Sequence, residues 1–522
     1  METTRTDSRS IVIVGAGAEA WLAAAILRQH LPPSHCRLTV VQHPSPHGHR
    51  SETCGPAFVR MLDRLRIPQA TAMRASDATY SLGTRYCGWS ASGSEFWIPF
   101  GPCGVPIDGQ DLFHVWLAEQ KRHGNIRPYH TWSLHAASAM AGRAPHSFRA
   151  FSPMTQDHSY GLQIDLRGMA AFLRTSVADS DVHVISGQVV SGKRDETGNV
   201  VSLQLNSGDD VAADFVLDVT PELVVCSPTR SVAQACIPAA GQFSESMPAP
   251  GEWTAMADRI VTLSIPSRRS IPSCSTIQAV PEGWILSRSL KSRTDYELHF
   301  SSDLTDEETA RMVLWNFAGP RISADAEFTV SVNTDACVSD LWTRNTLAAG
   351  RLISVATSPG AGPLRQLQAA IELFVQVFPV TGTIEPSRCF YNRQMNGIVT
   401  QLRDWRQLHY HLSRRSDAGF WKTAAGIPIS ESLQKRLSLY DDTGRILEAQ
   451  RPIVPEADWY FLLTGCDRLP RRASVTALNV PYGQIQEVLT AIESQQDAVI
   501  RDLALHEELL DQIHQVPVAK AS

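Results

Sequence analysis

The 522-residue chain is missing several features, and each absence removes a class of function. Its ten cysteines, among them Cys36, Cys54, Cys87, Cys236 and Cys389, are scattered and include no Cys-x-x-Cys pair. That spacing argues against a zinc site and a disulfide framework, and it fits a reducing cytoplasm. Positive charge is not in excess: 47 Lys and Arg stand against 53 Asp and Glu, for a net charge of −6. Nothing in that balance calls for nucleic acid or an anionic membrane as partner. The opening METTRTDSRS is polar and partly acidic, unlike a signal peptide. His43, His47 and His49 have no carboxylate or cysteine companions at metal spacing, so a solvated loop is expected there and no metal. There is no fixed-period repeat, no low-complexity segment and no second glycine fingerprint, so a separate NAD(P)H domain is not expected.

What is present starts at IVIVGAGAEAWLAAAIL, Ile11 to Leu27. Its internal glycines and strand-like opening speak against a membrane helix. Ile11 to Val14 reads as a buried strand, Gly15, Ala16 and Gly17 as a tight turn, and a helix opens at Ala18. Such a turn lets backbone N–H groups approach a pyrophosphate at the positive end of the helix dipole. The third small position is Ala20, and the next strand, Arg37 to Val41, ends at Gln42 instead of the usual ribose-binding acid. An amide still hydrogen-bonds a ribose, more weakly. A helix–strand turn without ligand is the alternative.

Further along, Ala57 to Leu65 reads as a helix, Thr79 to Trp89 as strand and turn, and the Ala/Ser-rich His135 to Ser152 as a surface excursion. Leu162 to Ser176 gives a strand end and a helix, and strands follow at Val182 to Ile185, Val200 to Leu205 and Phe215 to Leu217. Val261 to Val332 forms a second sheet region. Leu352 to Val355, the loop Thr357 to Pro363 and Leu364 to Phe378 make another strand–loop–helix, and the chain is mainly helical from about Phe390. The expected class is α/β with α+β elements: a Rossmann-type FAD-binding domain of the flavoprotein-monooxygenase kind, with an inserted β-sheet region. The boundaries expected are 1–385 for that domain, with insertions at about 90–160 and 225–335, and 386–522 for a helical part on the substrate side.

Several stretches, in order, resemble the flavin-dependent tryptophan halogenase family. GAGAEAW (Gly15 to Trp21) is similar to its G-x-G-x-A-G-W turn, SETCGP (Ser51 to Pro56) to G-E-A-T-x-P, and LRIP (Leu65 to Pro68) to L-G-I-P. ATYSLGTRYCGW (Ala78 to Trp89) resembles A-x-x-K-L-G-x-x-F-x-x-W, and LDVTP (Leu217 to Pro221) resembles I-D-C-S-G. The most specific block, RDWRQLHYHLSRRSDAGFW (Arg403 to Trp421), matches D-F-x-x-x-H-Y-x-x-x-x-R-x-D-x-x-F-W, and His506 falls in the family's M-P-x-H-x-x-Y. The resemblance implies FAD, reduced by a separate flavin reductase, which with oxygen turns halide into hypohalous acid; a lysine and a glutamate then direct that species to the substrate. It also implies a role in secondary metabolism and a small-molecule substrate, and it leaves a homodimer open. Cofactor contacts fall on Gly15, Gly17, Ala18, Ala20, Trp21, Gln42, Glu52, Pro363 and Leu364, and substrate contacts on His409, Tyr410, Phe420 and Trp421, unless the last four simply pack a helix.

The reaction site departs from the family. The lysine position falls on Ser81, whose hydroxyl cannot form a haloamine, and the glutamate of P-L-E-S-T falls on Arg365, a permanent cation. G-W-x-W-x-I-P becomes Gly283 to Ser289, with one tryptophan of two. Ser81 is then either a bystander hydroxyl or a catalytic stand-in, and Arg365 either faces solvent or grips an anionic substrate group. The expected function is a flavin-dependent monooxygenase or oxidase acting on a small aromatic or other pocket-sized substrate. A halogenase with a rearranged site and a non-catalytic flavin-binding relative are the alternatives.

Overall fold

The computed structural model describes residues 9–43, 50–124, 126–146, 159–178, 180–220, 224–225, 256–267, 270–319, 322, 326–332, 340–350, 362–379, 383–416, 418–446 and 452–515. The chain starts with β1 (Arg9–Val14), α1 (Ala18–His30), β2 (Cys36–Gln42), β3 (Ser51–Cys54), α2 (Pro56–Arg64) and α3 (Gln69–Ala75). Next come β4 (Thr79–Ser81), β5 (Gly83–Cys87), β6 (Glu95–Pro99), α4 (Leu112–His123), α5 (Leu134–Met140), β7 (Gly161–Asp165) and α6 (Leu166–Ala178). A run of strands follows: β8 (Val182–Ser186), β9 (Val189–Arg194), β10 (Val200–Leu205), β11 (Asp210–Ala212) and β12 (Phe215–Asp218). The second sheet region holds β13 (Arg259–Pro266), β14 (Ser275–Val280), β15 (Gly283–Ser289), β16 (Arg293–Phe300), α7 (Glu307–Ala318) and β17 (Phe328–Val332). The remainder is β18 (Trp342–Thr343), β19 (Thr346–Ala348), α8 (Pro363–Gln376), α9 (Glu385–Leu412), α10 (Gly419–Gly426), α11 (Glu431–Thr443), α12 (Glu456–Gly465), α13 (Val475–Leu478), α14 (Tyr482–Asp502) and α15 (His506–Gln515).

Among the described residues the first sheet has the order β18-β19-β12-β1-β2-β8, and β1 pairs in parallel with both β2 and β12. Ile11 to Val14 are fully buried, as a parallel strand covered on both faces must be. The alanines of α1 let it lie close against β1 and β2 on one side and α6 and α8 on the other. A second sheet, β17-β13-β16-β15-β14-β5-β6, forms the other wall, and β5 pairs in parallel with β14 but antiparallel with β6. The small sheet β3-β7-β4 bridges the two, placing Glu52 opposite Ile164.

Two expectations need correcting. Leu134 to Met140 is a helix with His135, Ala136, Ser138 and Ala139 buried, because its small residues pack closely; it is not a surface excursion. His43 is not solvated: its Nδ1 accepts the Val189 N–H at 3.1 Å inside the core. Strands β9 and β11 carry exposed polar residues and escaped the pattern. His47, His49, Pro221, the strand Leu352 to Val355, the loop residues Thr357 to Ala361 and Asp417 lie outside the described residues.

Candidate functional site

At the end of β1 the backbone turns sharply into α1. Gly15 has φ +153°, and a β-carbon there would stand 2.5 Å from Val219 Cγ2. Its N–H donates to the Val41 carbonyl at 3.0 Å, while Ala20 N–H and Trp21 N–H turn back to the Gly17 carbonyl. Gly17 caps α1 without a side-chain bond, so the Ala18 and Glu19 N–H groups, which helix geometry leaves without an intrahelical acceptor, face outward. Ala16, Gly17 and Glu19 keep accessible surface at this point. Open N–H groups at a helix amino end over side-chain-free backbone fit a dinucleotide pyrophosphate. The side chains of Ala18, Ala20 and Trp21 face the core, so these residues meet a cofactor only through their backbone. Gln42, at the carboxyl end of β2, accepts from the Ser186 hydroxyl at 3.2 Å.

The amino end of α8 is the second element of the site. Gly362 is its cap, Pro363 its first residue, and the Leu364 N–H donates to Glu52 Oε1 at 2.8 Å. A β-carbon on Gly362 would lie 2.2 Å from that oxygen, so only glycine lets the carboxylate approach. Burial pushes the Glu52 carboxyl up to about 7 against the opposing Leu364 bond, with Glu19 nearby pushing the same way. Glu52 Oε2 and both amide atoms of the buried Gln366 find no partner among the described residues.

Arg365 forms no ion pair with that carboxylate. Its Nη1 lies 3.9 Å from where a β-carbon on Gly55 would stand, beside the Phe100 ring at 3.7 Å from the same point. The Arg365 side chain is half-buried; burial lowers its pKa, and the charge of Asp458 on α12 opposes that shift. Among the described residues it makes no hydrogen bond or ion pair. Asp458 is likewise half-buried, its carboxyl pushed up to about 7 by desolvation and held back by Arg365. Ser81 is fully buried in β4 opposite Gly161, and its hydroxyl donates to the Gly83 carbonyl at 3.2 Å.

The sequence has six lysines. Lys121 and Lys422 are exposed, Lys193 pairs with Asp210, Lys291 with Asp511 and Lys435 with Glu431, and Lys520 lies outside the described residues. None of the five described ammonium groups is at α8 or β3.

His409, Tyr410, Phe420 and Trp421 occupy an aromatic core between α9, α10 and the second sheet, where their polar atoms are partnered, rather than an open substrate surface. His409 Nδ1 meets the Trp405 carbonyl at 2.8 Å and must carry the proton, so Nε2 accepts from the Tyr86 hydroxyl at 3.1 Å. Burial holds this imidazole down to about 3. Trp284 Nε1 donates to the Tyr410 hydroxyl at 3.1 Å, and Trp421 Nε1 to the Val280 carbonyl at 2.7 Å. The sequence reading missed Asp458 and Phe100. Asp458 hides in an apolar helix.

A parallel sheet with a glycine turn at its first helix, joined to a mixed second sheet, defines a nucleotide-binding flavoprotein fold. The sequence model of the tryptophan halogenase family matches residues 10–482, and the chain belongs to that family. Tryptophan 6-halogenase ThaL of Streptomyces albogriseolus is 23% identical over 97% of this chain and 98% of its own. Among solved structures, Xcc4156, a flavin-dependent halogenase from Xanthomonas campestris, superposes with a TM-score of 0.85 at 25% identity, covering 98% of this chain and 99% of that one. BrvH, a flavin-dependent halogenase from Brevundimonas sp. BAL3, gives 0.83 at 24% identity over 97% of this chain and 100% of that one. Family membership makes FAD, reduced by a separate flavin reductase, the cofactor, as the resemblance implied. No described helix is long and apolar enough to cross a membrane.

Proposed function

We propose that the chain is an FAD-dependent oxidoreductase that inserts oxygen into, or oxidises, a small aromatic substrate without the lysine-relayed halogen of its family. The observation that carries this reading is the absence of any described ammonium group at the site, with Arg365 in the glutamate's place and Ser81 sealed in a strand. In this reading the Ala18 and Glu19 N–H groups hold the FAD phosphates, and the Gly15 turn sets their distance. When bound, reduced FAD supplies the two electrons that split dioxygen, one oxygen atom entering the substrate and the other leaving as water.

The chain's own residues contribute position and a proton. Glu52 Oε2, unpartnered among the described residues and titrating near neutrality, gives or takes a proton beside the amino end of α8.

The test is to incubate the pure chain with a flavin reductase, NADH and a panel of small aromatic molecules under heavy-isotope dioxygen. Isotope in the product, independent of halide, is the expected result; hydrogen peroxide alone across the panel counts against it. The names of the relatives favour a second reading, halogenation by a rearranged site. A bromide-dependent mass shift in the same incubation establishes that one.

A further inference from the structure

Trp284, Trp89 and Tyr86 lie in unbroken ring-to-ring contact inside the protein, and the last of them is bonded to a base. The Trp89 ring stands edge to face against both others, 6.1 Å from Trp284 and 5.7 Å from Tyr86 between centroids. All three are fully buried. Trp284 marks the inner end. It alternates with Leu286 and Arg288 onto one face of β15, which Ser275 of β14 shares. Thr53 of β3 meets the Ser275 hydroxyl there at 2.7 Å, so the strand that carries Glu52 packs on the Trp284 face. The His299 ring lies flat on Trp284, 3.8 Å away.

Indole and phenol rings are among the side chains most easily stripped of one electron. Electron transfer falls off steeply with distance, so rings in contact pass a missing electron among themselves. What distinguishes the three is where their protons can go. Trp89 Nε1 donates to the His409 carbonyl at 2.8 Å, an amide oxygen too weakly basic to take the proton. Trp284 Nε1 donates to the Tyr410 hydroxyl at 3.1 Å, which is no better a base. The Tyr86 hydroxyl instead donates at 3.1 Å to His409 Nε2, the lone pair of a neutral imidazole whose Nδ1–H is held by the Trp405 carbonyl. A phenol that loses an electron becomes strongly acidic, and here the base is already in contact. A buried histidine can satisfy a tyrosine in any core; what exceeds packing is a row of oxidisable rings that ends at the one with a base.

We propose that Trp284, Trp89 and Tyr86 form a one-electron relay that carries oxidising equivalents away from the flavin site and holds them at Tyr86, with His409 as proton acceptor. The oxidant is a one-electron acceptor at the bound FAD: an oxygen-derived radical in the dark, the excited flavin under light. It takes one electron from Trp284; Trp89 refills Trp284, and Tyr86 refills Trp89. As it does so, Tyr86 gives its hydroxyl proton to His409 Nε2, leaving a neutral phenoxyl and an imidazolium that keeps its Nδ1–H. Burial disfavours the imidazolium, so the proton returns to Tyr86 when the flavin or a reductant in solution gives the electron back. The relay needs FAD, the cofactor of the family, and is independent of whether the flavin reaction oxygenates or halogenates.

The chain loaded with oxidised FAD is illuminated, frozen and read by electron paramagnetic resonance, beside Tyr86→Phe, Trp284→Phe and His409→Gln. Quenching of flavin fluorescence confirms FAD binding in each. The wild type is expected to give a tyrosyl radical whose lowered g-value reports a hydrogen bond to the phenoxyl oxygen. Tyr86→Phe removes only the hydroxyl, keeps the stack on Phe96 and loses that signal. Trp284→Phe lowers its yield. His409→Gln replaces it with a tryptophanyl radical, an exchange that a merely structural imidazole would not produce. Should a larger change fail to fold, Tyr86→Phe decides alone. A tyrosyl signal that survives Tyr86→Phe, a yield unchanged in folded Trp284→Phe, or no protein radical in the illuminated wild type overturns the proposal.

Discussion

Glu52 Oε1 accepts the backbone N–H of Leu364 at 2.8 Å, so a carboxylate from β3 closes the amino end of α8. The carboxyl is raised from its ordinary 4.5 to about 7, chiefly by burial. The folded protein therefore holds this proton more tightly than the unfolded chain. Its contribution to stability is complete below the unfolded value of 4.5 and is lost as pH rises through about 7. The difference corresponds to roughly 3 kcal/mol. Glu52→Gln keeps an acceptor for Leu364 and removes the titration. Denaturant unfolding at a series of pH values should show the wild type losing ground to this variant across that window. A constant difference between them would mean that Glu52 is ionised throughout.

The turn before α1 gives a second prediction. Gly15→Ala places a methyl group against Val219 in a backbone conformation that disfavours side chains. A cost of about 1–3 kcal/mol is expected, with weaker FAD binding in a fluorescence titration. An alanine variant with normal affinity and stability would show that the turn relaxes freely.

Restoring the family's lysine will not restore its chemistry. Ser81 is fully buried with its hydroxyl bonded to the carbonyl two residues along the chain, so Ser81→Lys forces an ammonium group into the core. Destabilisation of at least about 3 kcal/mol is expected, and no brominated product. Detection of such a product from a stably folded Ser81→Lys protein would show that the position opens onto the site.

His409→Phe tests the aromatic core. The substitution strands the Tyr86 hydroxyl, at roughly 1–3 kcal/mol, while the Trp405 carbonyl keeps its place in the helix ladder. With its pKa held down to about 3, the His409 ring should show no titration in proton NMR between about pH 5 and 8. A midpoint inside that range would place the ring in contact with solvent or ligand.

Much of the scaffold was legible because its signals are local. The strand from Ile11, the glycine turn and the Ala-rich helix are specified by neighbours in sequence, and they form as expected. The sequence of α9 was also readable, although His409 and Tyr410 turned out to face inward, since a helix pattern does not say which aromatic face meets a cavity. The pairing of β5 with β14 was not readable, because it joins residues about two hundred apart. Arg365 was flagged by position, but its opposite number was not. Asp458 sits among Trp459, Tyr460 and Phe461, where one acid reads as a helix-start residue, and only the fold sets it across from α8.

The 28-residue α9 runs from one sheet to the other. Near its start, Asn392 clasps the backbone of Trp342 at the rim of the first sheet through both halves of its amide. At its far end, Trp89 Nε1 anchors on the His409 carbonyl, and Ser413 and Arg414 bind the backbone of Trp89 and Ser90. A rod pinned at both tips acts as a tie-bar, so the two walls cannot hinge apart like jaws. Exchange of reactants and products then has to proceed by local rearrangement at the rim, and the clearance between the walls is built in when the chain folds.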